Sequence, residues 1–578
     1  MNESMHGRNK VTSELRIARD ASQISAEQQV RDRIRSLVYI FAPLIGCAWS
    51  LFVGRHGGYD YLNRRWFLGW LFLRDMEDMP GALQRLAFSP YLNEIFIASL
   101  ALIGQWWLGP LLIALLHSLI CPLTYDICRT LCPDVNRGYA VASAFFTLSS
   151  PLAFVHLGRE NGHLLAALFI VGAFHHLIRR ESDPNLLWIS VLLTAALAVK
   201  LSSVFTVAVS LIAIACILPI RAAVKMCLQV AVSVICLVAF SSIFLWRAGG
   251  VKYFSLGEIV YEPAQFLLYA GALLVVFAGL SRKVLRSTTE WRDQLSSRSR
   301  GLLLISLLIA MVFLTTRFTF WSDPAFTPGS TLVSVKRILS TGQFSSDVLL
   351  GPNSVRDLEY SYFDVTKRLS VFVAAAAILG AVLSPGRRTF VQSVARSIAL
   401  VPGFALVCTM FAYGYVRYAV EAVVLVPLAL YVFVGTLRVG DGLRQGLILV
   451  GLGALVLPVA GVGAWDGYDD LSGRPGASAL VDAEEREWLS GLIPPGSPVF
   501  LIGRLTTWVA PVVDRDDPNW FVKPVRPDDV GEQRAVLFYD LGSAADLDKF
   551  TTRGWSLSEC QALRLRHVAL GWCSLSVN

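Results

Sequence analysis

"SLVYIFAPLIGCAWSLFV", residues 36–53, runs for eighteen residues without a charge. A helix of that length, rising ~1.5 Å per residue, approaches the ~30 Å hydrocarbon core of a bilayer. The polar stretch before it ends in the basic "RDRIR" (31–35), and the run is too long for the apolar core of a cleavable signal. It therefore reads as a first membrane span. Immediately beyond it stands "GGYDYLNRRWF" (57–67), with Asp60 between Tyr59 and Tyr61 and with Arg64 close behind. Which membrane face holds Asp60, and what else gathers there, are the questions that organise the rest of the chain.

The composition is that of a membrane protein throughout. Mean hydropathy is +0.54, 54% of residues are apolar and 16% are charged, against ~25% charged in soluble domains. The net charge of +8 is spread in short clusters between apolar runs. That pattern suits cytoplasmic loops and argues against a nucleic-acid partner.

Further spans are expected near 109–127, 139–156, 163–178, 186–200, 201–220, 226–245, 263–280, 301–316, 369–384, 397–416, 418–435 and 446–464. The tryptophan-rich run 95–108 reads as an interfacial helix. The expectation is a mostly α polytopic protein of about thirteen transmembrane helices. With residues 1–35 in the cytoplasm, nearly every basic cluster falls inside, from Arg129 and Arg137 to Arg438 and Arg444. The outer face then receives loops 54–108, 156–163, 246–263 and 317–368, and the tail 465–578. The tail reads as a small extracytoplasmic α/β domain: a helix and strand in "DAEEREWLSGLIPPGSPVFLIG", a strand in "RAVLFYD" and a helix in "AADLDKFTTRGW". Cys560 and Cys573 stand in this tail, and an exterior location would allow them to form a disulfide.

Charges at membrane depth are expensive, ~2.5–3.5 kcal/mol at a helix centre, so each one asks for a reason. Four outward places hold them: Asp60; the loop Arg159–Glu160–Asn161 with His156 and His163; Lys200 in "TAALAVKLSSVF"; and Arg417 in "YGYVRYAVEAVVLVP". Each also has an ordinary reading. Asp60 suits a solvated loop, Glu160 a helix cap, Lys200 a side chain snorkelling to the interface, and Arg417 an i,i+4 pair with Glu421. Cys128 and Cys132 have no second pair or nearby histidines for a metal. Jointly, a carboxylate base and cations at one membrane face suit transfer of a group carried on a lipid phosphate.

The order of these features resembles the GT-C glycosyltransferases, integral membrane enzymes that use lipid-phosphate-linked sugars. "FSPYLNEIF" (88–96) is similar to the proline-containing segment of that family's first outer loop. "LGRENGHLLAALFIVGAFHHLIRR" (157–180) resembles its second acidic loop and following helix. "LLWISVLLTAALAVKLSSVF" (186–205) and "YGYVRYAVEAVVLVPLAL" (413–430) resemble two later helices, and "EREWLSGLIPPGSPVFLIG" (485–503) the opening of its exterior domain. The resemblance implies Asp60 as catalytic base and Glu160 as a second site carboxylate. It also implies Lys200 and Arg417 at the donor phosphate, with Tyr59, Tyr61, Arg64, Arg159, Asn161 and His163 around the substrates.

The implied partners are a polyprenyl-phosphate sugar donor, a lipid or glycan acceptor and membrane lipids, in the inner (plasma) membrane. No cofactor is required, and a divalent cation is compatible. One base without a poised carboxylate nucleophile implies inversion at the anomeric carbon. The chain departs from the oligosaccharyltransferase "WWDYG" signature, its nearest string being "AWDGYDD" (464–470), and lacks the adjacent acidic pair of protein mannosyltransferases. A lipid-glycan flippase or secondary transporter is the rival reading, although no paired halves are visible in the chain.

Overall fold

A computed structural model describes residues 29–51 apart from 31, 108–149, 162–179, 185–200, 203–247, 390–413, 420–460 apart from 438, and most of 483–577, with short pieces between. Among these residues the chain is mostly helical and ends in a small mixed sheet.

The helices follow the apolar runs. α1 covers Asp32–Leu51. Next come α2 (Leu108–Ser118), α3 (Ile120–Leu131), α4 (Arg137–Ser149), α5 (His163–Arg179), α6 (Leu186–Val199), α7 (Val204–Ile217) and α8 (Ile220–Arg247). A two-residue hairpin pairs β1 (Ser255–Leu256) with β2 (Ile259–Val260) in the expected 246–263 loop. After it come α9 (Phe390–Tyr413), α10 (Val420–Val424), α11 (Val426–Gly435) and α12 (Asp441–Ala460).

Among the described residues three stretches are long and apolar enough to cross a membrane: Asp32–Leu51, Leu111–Leu131 and Gln392–Thr409. Shorter apolar helices are His163–Arg179, Leu186–Val199, Val204–Ile217 and Val420–Gly435. The expected spans 263–280 and 301–316 lie almost entirely outside the described residues. Of the span expected at 139–156, the described part is α4, and residues 150–152 and 154–156 lie outside the described residues.

The bundle core is made of helices that are apolar on nearly every side, as the interior of a membrane bundle requires. α5 packs on α6, α3 on α4 and α5, α6 on α8, α7 on α9, and α11 on α4 and α9. Small residues set the closest approaches. A side chain at Gly46 would run into Ser118 Oγ, so α1 and α2 touch almost backbone to backbone. Gly435 meets Cys132 in the same way, where α11 crosses the end of α3.

One end of the bundle is tied by charge. Asp126, late in α3, accepts Arg35 Nε at 2.9 Å and Arg35 Nη2 at 2.8 Å. It also accepts the Tyr39 hydroxyl at 3.0 Å and Arg179 Nη2 at 3.3 Å, with His175 Nε2 at 3.4 Å. Arg129 Nη1 donates to the Val135 carbonyl at 2.6 Å nearby, and Arg444 Nη2 to the Leu437 carbonyl at 3.3 Å. Cations from α1, α3, α5 and α12 thus collect at one end.

The C-terminal domain starts with α13 (Ala483–Gly491) and β3 (Val499–Ile502), followed by α14 (Val509–Val513), β4 (Trp520–Phe521), α15 (Pro527–Val530), β5 (Arg534–Tyr539), α16 (Asp548–Thr551), β6 (Trp555–Arg564) and β7 (Ala569–Val577). The sheet order is β4-β3-β5-β7-β6, parallel from β4 to β5 and antiparallel beyond. Within "AADLDKFTTRGW", where a helix was expected, the described part holds the single turn α16, residues 544–546 lying outside the described residues. The β6–β7 hairpin was not read from the sequence. Cys560 and Cys573 are bonded across that hairpin. Phe500, Leu537, Phe550, Trp555 and Leu575 form the domain's core, and the Trp555 indole donates to the Val525 carbonyl at 2.7 Å. Trp70, in the stretch after α1, packs edge to face on Trp520 with centroids 6.2 Å apart. Trp70 and the C-terminal domain therefore lie on the same side of the molecule.

Candidate functional site

The end of the bundle away from Asp126 is assembled from three chain junctions. The first is the turn into α5. Gly158 and Gly162 both adopt left-handed φ, +74° and +73°, a conformation glycine reaches without a Cβ penalty. They bracket Arg159–Glu160–Asn161. The Gly158 amide donates to His117 Nδ1 at 3.3 Å, and a side chain at Gly158 would collide with Ser50 Oγ near the end of α1. His163 is the first residue of α5 and is buried.

The second junction is α6 to α7. Lys200 caps α6 in an extended conformation, its amide donating to the Ala196 carbonyl at 3.1 Å. Ser203 closes the turn, its hydroxyl donating to the Lys200 carbonyl at 2.7 Å and its amide to the same oxygen at 3.0 Å. The small polar residue after the lysine thus holds the lysine backbone. The Lys200 side chain is half-buried.

The third junction opens α10. Glu421 there is fully buried. His163 Nδ1 donates to Glu421 Oε1 at 2.8 Å, across 258 residues of sequence. Glu421 Oε2 has no hydrogen-bond partner among the described residues. Removing a carboxylate from water costs several kcal/mol unless a counter-charge and hydrogen bonds replace the solvent. His163 is the described group that hydrogen-bonds it.

α5 separates this cluster from the Asp126 knot. His163 begins the helix and His175 lies about 18 Å along it at ~1.5 Å per residue. The two ends of the bundle therefore have distinct chemistry: a cation-rich knot at one, and a histidine, a lysine and a buried carboxylate at the other.

Two of the residues expected at the site are described, His163 and Lys200, and the structure brings them to the same end. Asp60, Tyr59, Tyr61, Arg64, Arg159, Glu160, Asn161 and Arg417 lie outside the described residues. Glu421 had been read only as a helical partner of Arg417; its described partner is His163, because α10 packs against α5. The sequence signal was present, since Glu421 is an acid inside an apolar helix. His117, which receives the Gly158 amide, carried no such signal. Among the described residues no group of three or more His, Cys, Asp or Glu could hold a metal.

These features define a helical membrane bundle with a polar cluster at one end and a small α/β domain at its C-terminus. No family model and no curated protein matches the chain. Among solved structures it is similar to the archaeal oligosaccharyltransferase AglB from Archaeoglobus fulgidus, in complex with an inhibitory peptide and a dolichol-phosphate. That match has 14% identity, 87% of this chain, 69% of that one and a TM-score of 0.45. It is also similar to ArnT from Cupriavidus metallidurans bound to undecaprenyl phosphate, at 12% identity, 93% of this chain, 97% of that one and a TM-score of 0.36. The chemistry proposed for this chain rests on its own residues.

Proposed function

We propose that the protein is a membrane glycosyltransferase that moves a sugar from a polyprenyl-phosphate donor to a lipid or glycan acceptor on the extracytoplasmic face. The observation that carries the reading is the buried His163–Glu421 pair at 2.8 Å, with Lys200 ending α6 beside the start of α5, opposite the cation-rich end around Asp126. Basic residues favour the cytoplasmic side, so the cluster falls to the outer one. The Trp70–Trp520 contact supports a common side for the first loop and the C-terminal domain.

In this reading Asp60 accepts the proton of the acceptor hydroxyl as its oxygen attacks the anomeric carbon. The bond from that carbon to the phosphate oxygen breaks, and the electron pair leaves with the polyprenyl phosphate. Lys200 and Arg417 hold the growing negative charge. Glu160, Arg159, Asn161 and His163 shape the substrates' seat, with Tyr59, Tyr61 and Arg64 on the acceptor side. A single displacement inverts the anomeric centre.

The test is sugar transfer in membranes from a panel of polyprenyl-phosphate sugars into host lipid extract. Wild type should transfer, and an equally expressed Asp60→Asn should lose at least ~100-fold in rate. Near-equal turnover would remove Asp60 as the base. No transfer by wild type across the panel would remove the reading and direct the assay to lipid translocation.

A further inference from the structure

Two arginines at the cation-rich end of the bundle keep buried N–H groups that nothing described accepts. Arg129, in the last turn of α3, is 9% exposed. Its Nη1 donates to the Val135 carbonyl at 2.6 Å, and its Nε has no hydrogen-bond partner among the described residues. Arg444, in the first turns of α12, has a side chain 16% exposed. Its Nη2 donates to the Leu437 and Val439 carbonyls at 3.3 and 3.4 Å, and its Nε also has no partner among the described residues. The Asp441 carboxylate lies 3.6 Å from Arg444 Nη1, but its side chain is 79% exposed and faces water.

The two arginines close on turns that touch each other. Val135 lies in the turn from α3 to α4, and a Cβ on Gly435, the last residue of α11, would meet Val135 Cγ2 at 3.4 Å. The carbonyls that receive Arg444 follow directly in the turn from α11 to α12. Arg129 gains from the C-terminal end of its helix dipole, by up to ~2 kcal/mol when partly buried. That is less than the several kcal/mol that burying an ion costs. Arg444 stands at the opposite kind of end, a helix N-terminus, where the dipole disfavours a cation and favours an anion.

We infer that the meeting of these two turns is a binding site for the phosphate of an anionic phospholipid in the cytoplasmic leaflet. Guanidinium forks match phosphate oxygens, and basic pockets between spans on the cytoplasmic side hold anionic head groups. The surface that continues from Arg444 selects a lipid as the occupant. Leu443, Leu447 and Val450 share one face of α12 and are all exposed, and Gly446 on the same face has open space above it. Acyl chains can lie along that face while the head group reaches the arginines. The inference rests on the cytoplasmic placement of this end and not on the sugar-transfer chemistry.

The measurement is lipid retention by the purified full chain, delipidated in detergent, offered single lipids and read by native mass spectrometry. The probes are phosphatidylglycerol, zwitterionic phosphatidylcholine and inorganic phosphate. Wild type should retain phosphatidylglycerol with about tenfold preference over phosphatidylcholine. Arg129→Met and Arg444→Met should each weaken phosphatidylglycerol retention about fivefold and leave phosphatidylcholine unchanged. Arg221→Met removes an exposed cation from the start of α8 and should change neither. Arg129→Lys keeps a charge that can cap the Val135 carbonyl but loses Nε. It should still weaken retention about threefold, which keeps the test informative if Arg129→Met fails to fold.

Equal retention of the two lipids by wild type would overturn the inference. So would a preference that survives both arginine substitutions, or one that Arg221→Met lowers as much, since either means diffuse attraction to a basic surface. Inorganic phosphate that binds wild type where no lipid is retained would overturn the lipid as the occupant. None of these readouts involves sugar transfer, so a failed transferase assay leaves the inference standing.

Discussion

Arg35 grips both carboxylate oxygens of Asp126, Nε to Oδ1 at 2.9 Å and Nη2 to Oδ2 at 2.8 Å, and so ties the start of α1 to the last turns of α3. The planar guanidinium matches the carboxylate in a way no lysine does. Arg179 and Tyr39 join the same oxygen from α5 and α1, so one carboxylate fastens three helices.

The two partners are not equivalent. Asp126→Ala leaves four cationic or polar groups from two helices, Arg35, Tyr39, His175 and Arg179, without their acceptor. Arg35→Ala leaves Asp126 with Tyr39, His175 and Arg179, and Arg35 is already more than a third exposed. Thermal unfolding in nanodiscs should show Asp126→Ala destabilised by about 2 kcal/mol and Arg35→Ala by about 1 kcal/mol. A larger loss for Arg35→Ala would contradict a shared acceptor.

Gly46 is where α1 and α2 come closest. A methyl group there meets Ser118 Oγ, itself bonded to the Ala114 carbonyl at 2.6 Å. Gly46→Leu has to push the helices apart, at a cost of about 1–3 kcal/mol. Gly442, on α12 with open space around it, is the control: Gly442→Ala should be neutral or slightly stabilising.

Cys560 and Cys573 close a loop across the β6–β7 hairpin. Alkylation of intact cells without reductant should leave both unlabelled, and labelling should appear after reduction. Cys573→Ser should lower the stability of the C-terminal domain by about 2–4 kcal/mol. Free thiols at both positions in the mature protein would place the domain in a reducing compartment and reverse the topology.

Trp520 packs its ring edge to face on Trp70. Alone, Trp520→Ala removes a buried ring from the domain as well as the contact. A double-mutant cycle with Trp70→Ala isolates the pair, and its coupling should be about 0.5–1.5 kcal/mol. Limited proteolysis between the last span and α13 should quicken in either single variant. Zero coupling would mean that the loop and the domain do not hold each other.

The membrane helices were legible because their cause is local. Eighteen uncharged residues must satisfy their own backbone in lipid, and a helix does that within the segment. Hence α5, expected at 163–178, is found at His163–Arg179, and α6, expected at 186–200, at Leu186–Val199. The exterior strand in "RAVLFYD" was legible for the same reason, as a run of apolar and β-branched residues, and became β5. The β6–β7 hairpin was not, because "WSLSECQALR" is mostly exposed and its register shifts between Ser558 and Gln561, so it shows no run of alternating apolar residues.

The residue types of the site were also legible, since a lysine or an acid in an apolar run is costly and stands out. Their partnerships were not. Sequence spacing offers Glu421 the neighbour four residues back, yet its carboxylate meets a histidine 258 residues away. Asp126 likewise takes Arg35 from 91 residues earlier. The sequence by itself determined that this chain is a mostly helical membrane protein, because hydropathy acts residue by residue. Only the tertiary structure decided which charges meet, because that depends on how helices far apart in the chain pack, and one apolar helix face looks much like another in sequence.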